Sequence, residues 1–300
     1  MKPNIHCTDK SSHLTMSNGH NYAIALCLAL ALSACGGGGG GGSSSGASTT
    51  PVFVASNIIT SAPTGMTYAG GSEELQAFNL LNAERAACGY GYLSQSTALD
   101  NSVINHATWL GVNNYAMSHN EEAVFSSGPN VGTNTTGFTG VNPVDRMVAA
   151  GYNQTDADKV QEVGASKQPS TTKTGYGSTA VRNLLAAPYH ANAMIGPFRN
   201  LGVTIKSSAV AGLGADITAP AGSASRVFFF ANLGYLQGTV AQQIGSTDVL
   251  TYPCQGTTGT AYQLTAETPN PVPGRNLATN PLGQSVFVSI FQFRYEPNTV

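Results

Sequence analysis

Seven consecutive glycines at positions 36–42 limit where this chain of 300 residues can begin to fold. Glycine loses more conformational entropy on ordering than any other residue, so an uninterrupted run of it does not join a packed core. The stretch that follows, "SSSGASTT", extends the low-complexity segment with small residues. We therefore expect a flexible Gly/Ser-rich tether over residues 36–70 and a folded region that begins at residue 71.

An apolar run of 11 residues, 22–32, precedes the glycines and leads into "LSAC". The run is too short to cross a bilayer and has the length of a signal-peptide h-region. "LSAC" resembles a bacterial lipobox, in which the cysteine becomes the lipidated first residue of the mature protein. The resemblance implies a lipoprotein signal peptide over residues 1–35, acyl chains on Cys35, and export to the bacterial outer membrane, facing the periplasm or the cell surface. An ordinary cleaved signal peptide is the alternative.

The composition is poor in charge. Asp, Glu, Lys and Arg make up 9% of the residues, against roughly 25% in an average globular chain. A surface solvated by hydroxyl and amide groups in place of charges is typical of an exported protein. The net charge of −2 provides no basic surface for nucleic acid, so we expect no nucleic-acid partner. The membrane partner would be reached through the N-terminal lipid anchor.

The five cysteines differ in their surroundings along the chain. Cys7 and Cys27 lie in the predicted signal peptide, and Cys35 is the predicted lipidation site. Cys88 and Cys254 remain, in a chain that enters an oxidising compartment, so we predict that they form a disulfide. The loop that this bond closes is long, and the chain-entropy model assigns such a bridge about 4–5 kcal/mol of stabilisation.

Helix start and stop signals around apolar periodicity predict four helices in the middle of the chain. The first begins after Ser72, a good N-cap residue, and ends before Gly89. The second lies in "STALDNSVINHATWLGVNN", the third covers residues 143–150, and the fourth runs over residues 178–187, where Pro188 ends it. Three extended segments are predicted in "KVQEVGAS", "NLGVTIKS" and "SRVFFFANLGYL".

Several short motifs occur along these elements in a fixed order. They are "NAER", "SHN", "PVDRMVAAGY", "VQEVGA", "VRNLLAAPYHANAMI", "LGVTI" and "ANLGY". Their order and spacing over about residues 73–237 resemble the CAP superfamily (the cysteine-rich secretory, antigen 5 and pathogenesis-related 1 proteins), and more closely its bacterial SCP-like branch. The resemblance implies an α+β fold for residues 71–237, a three-layer α-β-α sandwich with a small central antiparallel sheet.

The resemblance also implies a cleft that holds His119, Glu162 and His190. Two imidazoles and a carboxylate suit Zn²⁺ or another divalent cation, bound weakly, and in the family the carboxylate more often orients a histidine than binds the metal. The family's second acidic position falls on Ala187, so one carboxylate is missing. A metal-free polar cluster is the alternative. We interpret His106, in the apolar stripe of the second helix, as a core histidine with satisfied hydrogen bonds.

The last part of the chain, residues 238–300, combines the strand-like runs "VLTY" and "SVFVSIFQF" with a Pro-rich stretch. So short a β-rich extension cannot bury both faces of a sheet by itself. We expect it either to dock on the preceding domain, tethered by Cys254, or to open a further β-module.

No nucleophile elbow, zinc-protease helix or phosphate-binding loop occurs in the sequence. We therefore predict a non-catalytic binding protein of the cell envelope, whose partner is a lipid, another small hydrophobic ligand or an envelope component. The alternative is a metal-dependent hydrolase that acts on envelope polymers or peptides. A hydrolase should show His119, Glu162 and His190 converging in a water-accessible cleft, whereas a closed and fully paired cluster favours the binding role.

Overall fold

A computed structural model describes residues 54–290, which belong to one compact unit. The predicted signal peptide, Cys35 and the tether up to residue 53 lie outside the described residues. In the part of the chain that the structure describes, no helix is both long enough and apolar enough to cross a membrane.

The described residues form five helices and seven strands. The helices are α1 (Glu73–Ala87), α2 (Thr97–Val112), α3 (Pro143–Ala149), α4 (Tyr176–Ala186) and α5 (Pro188–Met194), with a 3₁₀ turn at Ala157–Lys159. The strands are β1 (Ser94–Gln95), β2 (Val160–Lys167), β3 (Asn200–Ala209), β4 (Ile217–Thr218), β5 (Arg226–Gly234), β6 (Val249–Tyr252) and β7 (Phe287–Ile290). The four predicted helices and three predicted extended segments are all present.

The main sheet has the strand order β1-β3-β5-β2, and β4 adds to β3. The three long strands are antiparallel, with Val203 opposite Ala231 and Glu162 opposite Asn232. The two-residue strands β1 and β4 run parallel to β3, so the sheet is antiparallel at its centre and mixed as a whole.

Helices cover both faces of this sheet. On strand β5, Phe229 packs with α1 and α4 on one side, whereas Phe228 and Phe230 pack with α2 on the other. Because both faces of β5 are buried, its sequence is a continuous apolar run and does not alternate between apolar and polar residues. The predicted α+β class and its three layers are confirmed.

The helical region around Pro188 differs from the prediction. Helix α4 ends at Ala186, and Pro188 is the first residue of a further helix, α5. Proline is favoured at a first helical position, because its fixed φ suits the helix and its missing N–H would have no intrahelical partner there. The same residue therefore ends one helix and begins the next.

Residues 54–70, which the composition assigns to the tether, are packed against the domain. The backbone N–H of Tyr92 donates to Ile59 O over 2.9 Å, and that of Asn57 donates to Gln243 O over 2.9 Å. The Tyr68 ring packs on the core next to α1. The folded region therefore begins before residue 71.

The extension, residues 238–290 of the described chain, packs on the preceding domain and does not form a separate β-module. Cys88 at the end of α1 forms a disulfide with Cys254, which confirms the predicted pair. Strand β6 pairs antiparallel with β7, and Tyr252 on its inner face is buried in the main core. The outer face of this ribbon is exposed and apolar, and includes Val288 and Ile290.

Candidate functional site

A buried cluster of charged side chains lies between the sheet and helices α2 and α3. Val163 on β2 faces α1 and α4, so its neighbour Glu162 points to the opposite face. There Arg146 of α3 donates from Nη2 to both carboxylate oxygens of Glu162, over 2.8 and 3.0 Å. Asn142 and Asp145 form a capping box that fixes the start of α3 and therefore the position of Arg146.

His119 contacts the same carboxylate from the segment that follows α2. Its Nδ1 lies 3.0 Å from Oε1 of Glu162, and 37% of its side chain is exposed, whereas Glu162 is fully buried. Burial alone would raise the pKa of Glu162. Electrostatic interactions with Arg146 and His106, together with the contact to His119, outweigh this effect and lower that pKa to about 2. Glu162 is therefore an ionised carboxylate with both oxygens occupied by protein donors.

His106 and Glu121 extend the cluster towards the interior. Nδ1 of His106 lies 3.0 Å from Oε1 of Glu121, and its Nε2 lies 2.8 Å from the backbone oxygen of Ser118. Both ring nitrogens of His106 therefore have a polar partner within the protein. Glu121 also accepts the backbone N–H of Thr139 over 2.8 Å. His106 is thus a buried, hydrogen-bonded core histidine, as the sequence pattern predicts.

His190 lies on α5 and is paired with a carboxylate that no sequence motif indicates. Its Nδ1 lies 3.2 Å from Oε1 of Glu267, a residue of the extension. The same oxygen accepts the backbone N–H of Tyr189 over 2.7 Å. The Glu267 side chain is fully buried. Its second oxygen, Oε2, has no hydrogen-bond partner among the described residues.

The structure thus places the three predicted site residues in two histidine–carboxylate pairs, His119 with Glu162 and His190 with Glu267. Among residues 54–290, no group of three or more His, Cys, Asp or Glu side chains is arranged to hold a metal ion. Arg146 and His119 occupy the oxygens of Glu162, so this carboxylate orients His119. Each of the two pairs contains a single imidazole, which is fewer donors than a tight zinc site uses.

Sequence reasoning missed Arg146, Glu121 and Glu267. Glu121 stands two residues after His119, and Arg146 is one of few charged residues on a short helix, so both gave a weak local signal. Glu267 gave none, because it lies 77 residues from its partner His190 in the chain.

A cleft of about 990 Å³ opens beside α5. Its walls come from the N-terminal segment, the end of α5, the segment 240–244 and strand β7. The apolar lining includes Ile58, Ile195, Phe198, Val240, Ile244 and Phe287. At its edges lie Tyr189, Gln161 and Asn192, all exposed. Of the lining residues that the structure describes, none is Lys, Arg or His, and Asp158 is the one acidic side chain.

The chain shows little similarity to known proteins. No family model matches the chain, and no curated protein matches it. The chain is similar to the solved structure of an outer surface protein from Borrelia burgdorferi, with 14% sequence identity and a TM-score of 0.36. The match covers 58% of this chain and 100% of that one.

Proposed function

We propose that this chain is an exported, lipid-anchored protein of the bacterial cell envelope, of the CAP class, which binds a small uncharged amphiphile without catalysing a reaction. The apolar run and "LSAC" motif support export and anchoring. The Cys88–Cys254 disulfide supports an oxidising compartment, because such bonds are rare in reducing ones. The motif order and the α-β-α sandwich support the class.

The cleft beside α5 is the observation that carries the proposed binding role. Its volume is at the upper end of the range for small-molecule sites, and its mixture of apolar walls and a few polar edge groups is typical of them. The apolar side chains would receive the hydrocarbon part of a ligand. The amides of Gln161 and Asn192 would face its polar part, and the lack of lining Lys and Arg among the described residues disfavours an anionic one.

The geometry of the charged cluster supports binding over hydrolysis. A hydrolytic site needs a base that can reach water and substrate. Glu162 is fully buried, and both of its oxygens accept hydrogen bonds from Arg146 or His119. This buried pairing of Glu162 supports the proposed binding role, and His119 beside it keeps 37% of its side chain exposed.

Binding of the neutral apolar dye N-phenyl-1-naphthylamine tests the proposal. Val240 lines the cleft and is 67% exposed, so Val240→Trp should narrow the site without disturbing the core. Val131→Trp is the matched control, since Val131 is 58% exposed and does not line the cleft. We expect saturable fluorescence enhancement in the wild type and the control, and at least a ten-fold weaker response in Val240→Trp. Equal binding in all three proteins would overturn the proposed site.

Weak binding of a divalent cation is a second candidate function, favoured by one observation. Both His119 and His190 direct Nδ1 at a buried carboxylate, the arrangement that orients metal-binding histidines through their other nitrogen. A zinc titration by calorimetry tests it, with His119→Ala and His190→Ala as the comparison. Identical heats for the wild type and both variants would refute it.

A further inference from the structure

The extension is bound to the junction between α4 and α5. At the end of α4, the side chains of Gln284 and Ser285 donate to the backbone oxygens of Leu185 and Ala186, over 3.1 and 3.0 Å. Helix ends leave such carbonyl groups without intrahelical partners. The extension therefore satisfies backbone groups at the point where the two helices meet.

Glu267 acts on the other side of the same junction. Its Oε1 accepts from the backbone N–H of Tyr189 and, over 3.4 Å, from that of His190. It also contacts Nδ1 of the His190 ring. One carboxylate oxygen thus fixes the backbone of His190 and the orientation of its imidazole together.

Ala187 provides the space for this arrangement. It is buried against Leu264 and Leu277 of the extension, on either side of Glu267 in sequence. A larger or charged side chain at position 187 would have to enter this apolar contact. The small residue on the junction and the apolar residues of the extension are therefore complementary.

We propose that Glu267 is the positioning residue of His190, supplied by the extension, and that it gives this histidine the same support that Glu162 gives His119. The extension then belongs to the site and is not an independent module. The proposal rests on contacts within the chain. It depends on the proposed metal role of His190 only where zinc affinity is the readout.

The tautomer of His190, measured by long-range ¹H–¹⁵N NMR of the imidazole rings in the full chain, tests the proposal. The His190→Ala spectrum assigns the signals. In the wild type we expect a proton on Nδ1, where Glu267 accepts it. In Glu267→Ala the population of the Nδ1–H form should fall, and the amides of Tyr189 and His190 should exchange with solvent at least ten-fold faster.

Glu73→Ala is the matched control. Glu73 accepts the backbone N–H groups of Gly175 and Gly177 at α4, as Glu267 accepts those at α5, but no described contact joins it to His190. We expect faster exchange at Gly177 and no change in the His190 ring. If Glu267→Ala does not fold, Glu267→Leu, which retains a buried side chain of similar size, carries the same test.

An unchanged His190 tautomer together with unchanged exchange at Tyr189 and His190 in the Glu267 variant would overturn the proposal. Zinc affinity adds an independent arm, in which Glu267→Ala should bind about ten-fold more weakly than the wild type, as loss of a ligand's hydrogen-bond partner usually causes. If the wild type binds no zinc, the metal role of His190 fails, and the NMR result still decides the role of Glu267.

Discussion

Arg146 and Glu162 form a fully buried ion pair, in which one guanidinium nitrogen donates to both carboxylate oxygens. The pair joins α3 to β2, and the same carboxylate orients His119. Neither of these buried groups is solvated by water. Each charge is therefore tolerated only while its partner remains. The candidate site and the stability of the fold therefore depend on the same contact.

Replacement of Arg146 by Met should destabilise the protein by about 3–5 kcal/mol, because it leaves Glu162 buried without its main counter-charge. Urea denaturation measures the change in the free energy of unfolding. Lys173→Met is the control, since Lys173 pairs with Asp216 in a partly exposed ion pair, 2.8 Å apart, and its loss should cost about 1 kcal/mol or less. An effect of Arg146→Met as small as that of the control would contradict this account of the cluster.

The stability of the protein should fall in acid partly through Glu162. Its pKa in the folded protein is about 2, below the unfolded value of about 4.3, so its ionised form stabilises the fold above that unfolded pKa. This contribution is lost as the pH falls from about 5 towards 2. We expect the free energy of unfolding of Glu162→Gln to be lower than that of the wild type at pH 7 and to vary less over this interval. Parallel pH profiles for the two proteins would show that Glu162 does not titrate as described.

The Cys88–Cys254 disulfide should stabilise the protein substantially. The double variant Cys88→Ser/Cys254→Ser should lose about 4–5 kcal/mol, the value that the chain-entropy model gives for a long closed loop. In the double variant, the backbone amides of β6 and β7 should be the first to exchange with solvent, because the disulfide joins the chain next to β6 to the end of α1. Reduction of the wild type is an independent way to obtain the protein without this disulfide. Unchanged unfolding after reduction would show that the bond is not needed for docking of the extension.

Gly202 should not tolerate alanine. A methyl group at this position on β3 would overlap the backbone of Leu99 and Asp100 in α2. The overlap is relieved only if the strand or the helix moves. We expect a loss of about 1–3 kcal/mol for Gly202→Ala, the range for overpacking. Gly283→Ala is the control, because no atom lies within 4 Å of the added group. Thermal denaturation of both variants measures the difference, and equal melting temperatures would rule out close packing of β3 on α2.

Local signals predicted the elements of the fold well. Ser72 accepts the backbone N–H of Leu75 as an N-cap should, and the apolar run in β5 reflects burial on both faces. Helix α5 has no separate signal in the sequence, because a proline can end one helix or occupy the first position of the next. Tertiary contact, and not local sequence, brought residues 54–70 onto the domain.

The candidate site was predictable only in part. The sequence indicated His119, Glu162 and His190 through their motifs, and the structure joins the first two directly. The partner of His190 came from a segment without a motif, because a carboxylate can be delivered to a site from any part of a chain that folds back on it. Long-range pairs such as Glu267 with His190 leave no periodicity or spacing for a sequence pattern to detect.

Native mass spectrometry of the protein purified from bacterial envelopes, in the wild type and in Val240→Trp, tests the proposed binding role most directly. We expect the wild type to carry about one uncharged amphiphile per chain, released by organic solvent, and Val240→Trp to carry at least ten-fold less. An empty wild-type protein, a predominantly anionic ligand, or equal occupancy in the variant would contradict the proposal that the cleft beside α5 is a site for uncharged amphiphiles.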